Sequence, residues 1–116
     1  MKDKREHRRY PILATAVIKA ENDRDALPVE SLVANISRSG LGLYSYSRIE
    51  KGISVSIEIT FVSLKGSKQK DTVDGEVVWL SKLGRLYYIG VAFYEELNPA
   101  KQPVLYEHFW KVTRWD

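Results

Sequence analysis

Residues Ser54 to Val62 read SVSIEITFV, in which Val55, Ile57, Ile59 and Phe61 alternate with Ser54, Ser56, Glu58 and Thr60. A period of two over nine residues is the signature of a β-strand with one buried and one wet face, and no helix can bury that set together. The neighbouring segments read the same way. Pro11–Lys19 is rich in Ile, Ala, Thr and Val, and Val29–Ile36, Leu43–Tyr46, Thr72–Leu80 and Leu86–Tyr94 follow. In the last of these Tyr87, Ile89, Val91 and Phe93 share a face. Polar or turn-forming stretches separate the segments: Glu21–Pro28, Asn35–Gly42, Lys65–Lys70 and Ser81–Arg85, with Gly84 in the last turn. Six short strands with no helix between them predict antiparallel pairing. The pattern fits a barrel or a sandwich, and a chain this small must close or cover its sheet edges.

The end of the chain obeys a different period. Asn98-Pro99 carries the residues of a helix start, yet Pro103 is unfit for a helix interior. The two together predict a turn over 98–102 and a helix from Pro103 to Thr113. Leu105, Phe109 and Val112 fall on one face of that helix, which is expected to pack on the barrel. At 116 residues, against roughly 100–150 for a typical compact domain, the chain is read as a single domain over 1–116. It divides into an arm over 1–10, a barrel over 11–97, and a turn and helix over 98–116.

Charge is concentrated at one end. The chain carries 18 Lys and Arg against 15 Asp and Glu, a net of +3. Lys2, Lys4, Arg5, Arg8 and Arg9 against Asp3 and Glu6 put that whole excess into the first ten residues, and the remainder balances. A concentrated basic arm suits an anionic partner such as a phosphate, a nucleic acid or a lipid surface. With 44% hydrophobic and 28% charged residues the composition is globular. No apolar run is long enough to span a bilayer, and the basic start has no apolar stretch behind it of the kind a secretory signal needs. A cytoplasmic protein with no membrane insertion is expected. The chain has no cysteine, hence no disulfide, thiolate metal site or cysteine nucleophile.

Catalytic patterns are missing. His7 and His108 lie at opposite ends, and no metalloprotease helix motif, phosphate-binding Gly loop or nucleophile elbow occurs. His108 reads as a packing or surface residue, and Asn35-Ile36-Ser37 as an accidental match to a glycosylation pattern. The expectation is no enzyme, no metal and no cofactor. Two segments stand out. Arg5-Glu6-His7-Arg8-Arg9 places three arginines in five residues, and Arg is suited to two-pronged recognition of phosphate or of guanine O6 and N7. Asn35-Ile36-Ser37-Arg38-Ser39-Gly40-Leu41-Gly42 ends a strand in polar side chains. There Gly40 is free either to adopt a positive φ or to let a ligand approach the backbone.

In this order and spacing the two segments resemble the PilZ domain family, which carries R-x-x-x-R before its first strand and [D/N]-x-S-x-x-G about 20–30 residues later. The matching residues are Arg5 and Arg9, then Asn35, Ser37 and Gly40. Gly75-Glu76-Val77-Val78-Trp79 and Tyr88-Ile89-Gly90-Val91-Ala92-Phe93 are similar to the family's late strand pair, so the resemblance covers nearly the whole chain. It implies a six-stranded antiparallel β-barrel with a C-terminal helix, and a receptor for the bacterial second messenger cyclic di-GMP. By that pattern Arg5 and Arg9 grip phosphate and guanine, Asn35 and Ser37 read guanine edges, and Gly40 shapes the loop. Lys4, Arg8 and Arg38 are further candidates, while Trp79 and Gly90 are expected to be structural, Trp79 filling core.

The resemblance also implies an arm that orders over the ligand and passes the signal to a separate effector protein. A basic residue just before R-x-x-x-R, here Lys4, favours a stacked pair of ligands, so two cyclic di-GMP molecules per chain are expected. Two other readings compete: a small barrel binding single-stranded nucleic acid, and a PilZ-like interaction module without nucleotide binding. The first is disfavoured because the basic charge does not continue along the barrel. The second is disfavoured because all five motif residues are present.

Overall fold

The alternating strand seen in the sequence is the seam of the molecule. In a computed structural model, which describes residues 8–23 and 25–113, Ser54–Val62 forms a strand whose inward residues Val55, Ile57, Ile59 and Phe61 are at most 1% exposed. Numbered in chain order, the strands are β1 (Ala14–Ala20), β2 (Val29–Ile36), β3 (Gly40–Ser45), β4 (Ser54–Val62), β5 (Lys68–Leu83) and β6 (Leu86–Phe93), followed by helix α1 (Pro103–Thr113). Strand β4 pairs along its length with β1 on one side and β5 on the other, so that Ile57 sits opposite both Ile18 and Val73. All pairings are antiparallel, and the order β1-β2-β3-β6-β5-β4 closes on itself as a barrel. Closure pairs every described strand on both sides along its central part.

The interior is predominantly apolar. Ile18, Ile36, Leu41, Leu43, Ile57, Ile59, Phe61 and Ile89 are all buried, with Tyr87 and Phe93 packed against them. Strand β5 is longer than expected. Its first residues, Lys68 to Asp71, pair with β4, so Lys68–Lys70 leave the predicted loop and the turn contracts to Ser63–Ser67. At the other end β5 runs to Leu83, and Gly84, at φ +63°, turns the chain into β6.

Helix α1 starts where Pro103 requires. The Asn98 side chain accepts hydrogen bonds from the Ala100 and Lys101 N–H groups at 3.1 and 2.9 Å, closing the preceding turn. Asp71 of β5 then accepts from the N–H groups of Val104 and Leu105 at 2.9 and 2.7 Å. Two of the helix's otherwise orphaned donors are thereby satisfied by a strand 33 residues away. Leu105 and Phe109 are buried beneath, as expected. Val112 departs from the expectation: it is 39% exposed, because the apolar stripe leaves the barrel after Phe109. Asp71→Ala should destabilise the fold by about 2 kcal/mol through the loss of two charge-assisted bonds. A lower urea midpoint with an unchanged strand signal in circular dichroism is the expected result.

Candidate functional site

Strand alternation alone would bury Asn35. Val33 points inward, so residue 35 of a regular strand would too. A register shift between Val33 and Asn35 alters this. It sets Asn35 opposite Gly42 on the outer face and returns Ile36, opposite Leu41, to the core. A second shift lies between Val77 and Trp79, and it places Trp79 opposite Gly90 while Leu80 faces Ile89. Since Gly42 and Gly90 are themselves paired, one row of residues crosses four strands: Asn35, Gly42, Gly90, Trp79. The expectation that Trp79 fills core is therefore overturned. The shift turns its ring outward, and it is 57% exposed.

The two glycines leave the middle of this row without side chains of its own, and neighbouring rings close over it. A Cβ at Gly90 would lie 3.0 Å from the Cβ of Trp79. At Gly42 it would collide with the Tyr88 hydroxyl, 2.1 Å away, which shows how closely that ring covers the strand. Tyr88 in turn meets Tyr44 edge to face at 5.5 Å. The result is a shallow trough with an indole at one end and an amide at the other, the Tyr88 ring lying over Gly42 between them.

Arg9 reaches this trough from the arm. Its Nη1 donates to Asn35 Oδ1 at 2.8 Å, and Asn35 Nδ2 faces the Tyr88 hydroxyl at 3.4 Å. The two segments singled out in the sequence are thus joined side chain to side chain. The backbone joins them too, through the paired hydrogen bonds of Tyr10 and Ile36, each 2.8 Å. Tyr10 also packs its ring edge against Phe109 of α1, with centroids 5.9 Å apart. The arm is thereby fastened at its root to the loop on one side and the helix on the other. Arg8 lies beside Tyr10, its guanidinium 6.0 Å from the ring centroid. Lys4 and Arg5 fall outside the described residues.

The other motif residues have different tasks. Ser37 is 2% exposed, and its hydroxyl accepts from the Ser39 and Gly40 N–H groups at 3.2 and 3.1 Å. It also lies 3.3 Å from the Gly40 carbonyl, so it shapes the turn from inside rather than facing the trough. Gly40 does not use a positive φ; among the described residues only Gly52, Gly66 and Gly84 do. Its requirement is space, since a Cβ there would lie 2.5 Å from the Val91 carbonyl oxygen. Arg38 pairs with Glu96 at 3.1 Å on the surface. A cavity of about 520 Å3 lies beside the trough and not in it, lined by Ala16, Ser31, Leu32, Tyr44, Tyr46 and Leu86 among others.

Gly42, Tyr88 and the outward orientation of Trp79 were missed in the sequence. The glycines opposite each other in two strands were a signal, but strand pairing was needed to read it. Among the described residues no group of three or more His, Cys, Asp or Glu could hold a metal ion, and no helix is long and apolar enough to cross a membrane. His108 stacks on Phe61 with centroids 4.8 Å apart, and burial, with Lys111 nearby, lowers its pKa from the ordinary imidazole value. That is a packing position.

Two solved structures share this architecture. The Bacillus subtilis inhibitor of motility MotI/DgrA superposes with a TM-score of 0.71 at 14% identity, covering 97% of this chain and 53% of that one. This chain therefore spans about half the length of that protein. The PilZ domain with c-di-GMP of YcgR from Escherichia coli superposes with a TM-score of 0.65 at 12% identity, covering 97% and 96%. No curated protein matches the chain in sequence. The family model of the PilZ domain matches residues 3–107, which takes in the arm, the whole barrel and the first turn of α1: the chain belongs to the PilZ domain family.

Proposed function

We propose that this chain is a receptor for cyclic di-GMP, acting in the bacterial cytoplasm, without catalysis, through a separate effector protein. One observation carries the reading. Arg9 and Asn35, 26 residues apart in sequence, meet at 2.8 Å at the end of the Asn35–Gly42–Gly90–Trp79 row. A cation at that point suits phosphate or the O6 and N7 of guanine. The exposed Trp79 ring supplies a π-face for a purine. Arg5 and Lys4, earlier in the arm sequence, would add charge for the second phosphate. Arg8 would do likewise. Ser37 and Gly40 serve by holding the loop that presents Asn35. Arg38 contributes only if a ligand draws it from Glu96.

The fastening of Tyr10 to both Ile36 and Phe109 supports a relay. A ligand that draws the arm onto the trough changes the same residue that touches α1, so the effector would read the arm and helix together. Calorimetric titration tests the receptor reading and its stoichiometry. Saturable binding at two ligands per chain is expected, with Lys4→Leu shifting it toward one. Displacement of cyclic di-GMP by poly(U) at equal nucleotide concentration, with affinity falling steeply as salt rises, would mark a general polyanion binder instead.

A further inference from the structure

The hydrogen bonds at Asn35 determine which groups the trough offers to a base, an argument that rests on the receptor reading above. A guanidinium only donates, so the Asn35 atom facing Arg9 Nη1 is the carbonyl oxygen. The amide nitrogen then faces Tyr88, and since an amide nitrogen has only hydrogens to give, the Tyr88 hydroxyl accepts there. A phenol that accepts keeps its own hydrogen for donation. Among the described residues that hydrogen has no acceptor. The hydroxyl is also held in place: it lies against the backbone of Gly42, and its ring is steadied by Tyr44.

The polar groups facing the trough are then donors: the Arg9 guanidinium, the second hydrogen of the Asn35 amide, and the Tyr88 hydroxyl. The purines differ on the edge that such a set would meet. Guanine presents two acceptors, O6 and N7, whereas adenine presents the N7 acceptor beside the N6 donor. Adenine in that place would set N–H against O–H. Relieving the clash by making Tyr88 accept would strand the phenolic hydrogen without a partner, which is costly in a covered site.

We propose that Tyr88 is a specificity-determining residue, its hydroxyl donating to the guanine base and discriminating against adenine. The experiment is titration of the wild type and Tyr88→Phe with cyclic di-GMP and with its adenine counterpart, cyclic di-AMP. The phenylalanine ring retains the contacts with Gly42 and Tyr44. Its cyclic di-GMP affinity should fall about threefold to tenfold, the worth of one neutral hydrogen bond. Its cyclic di-AMP affinity should hold or rise, so the preference for guanine narrows. Asn35→Asp provides a second arm: a carboxylate only accepts and would take the Tyr88 hydrogen for itself. In that background Tyr88→Phe should no longer change the guanine preference. An equal loss for both dinucleotides would mean a merely structural tyrosine and would overturn the proposal, as would no change for either. If the wild type binds neither dinucleotide, the receptor reading itself fails, and this inference with it.

Discussion

Arg9→Ala should weaken cyclic di-GMP binding about tenfold or more while leaving the fold intact. A hydrogen bond to a charged group is worth roughly 1.5–3 kcal/mol, and about 1.4 kcal/mol is a factor of ten in affinity. Arg9 has five donors, of which one is used on Asn35 in the free protein. The remainder are available to phosphate or base. Removing the side chain also releases Asn35, whose amide is then free to rotate, so the trough loses its organisation as well as its charge. The barrel core contains no part of Arg9, and the thermal midpoint should stay within about 2 °C of wild type, a shift worth well under 1 kcal/mol. Calorimetry and a melting curve on the same sample check both halves. Wild-type affinity in this variant would remove Arg9 from the site; a collapse of the melting temperature would make it a structural residue.

The second large effect concerns stability. Phe61 is 1% exposed at the end of β4 and belongs to the same buried cluster as Leu105 and Phe109 of α1. Phe61→Ala removes a ring at the place where helix and barrel share one core. Large-to-small changes of this kind cost about 3–5 kcal/mol, because the surroundings only partly collapse into the space. For a domain of this size that corresponds to a fall of roughly 15 °C or more in melting temperature. A local signature should accompany it. His108 lies on Phe61, and burial is the first cause of its lowered pKa. Opening the cavity should therefore raise the His108 pKa toward its ordinary value, observable by NMR titration. A loss below about 1 kcal/mol, with an unmoved His108, would show that the helix does not depend on this ring.

Such a prediction could be half written from the sequence, because Phe61 belongs to an alternating run that any pairing would bury. The same holds for Ile57 and Ile59, for the exact extent of β2 and β4, and for the start of α1 at Pro103. In each case the determinant is local: a side-chain period, or a backbone donor that proline does not possess. Local too is the resemblance to the PilZ family, since its motifs are short and lie in chain order. The limits of β5 were less legible. Lys68 to Asp71 are polar and resemble a loop until β4 is there to pair with them.

The trough was decided by tertiary structure. Alternation counted from Val33 sends Asn35 inward, and counted from Val77 it sends Trp79 inward; both point out. An extra residue in β2 and another in β5 reverse the count, and nothing in either local sequence announces a bulge. Each reversal is accommodated by a glycine on the facing strand, Gly42 for Asn35 and Gly90 for Trp79, and those glycines are neighbours only because β3 pairs with β6 across 48 residues of sequence. Residue types that could bind a nucleotide were therefore readable from the chain. Which of them share a face was not, because a face is a property of strand register, and register is settled only when every strand has closed on its neighbour.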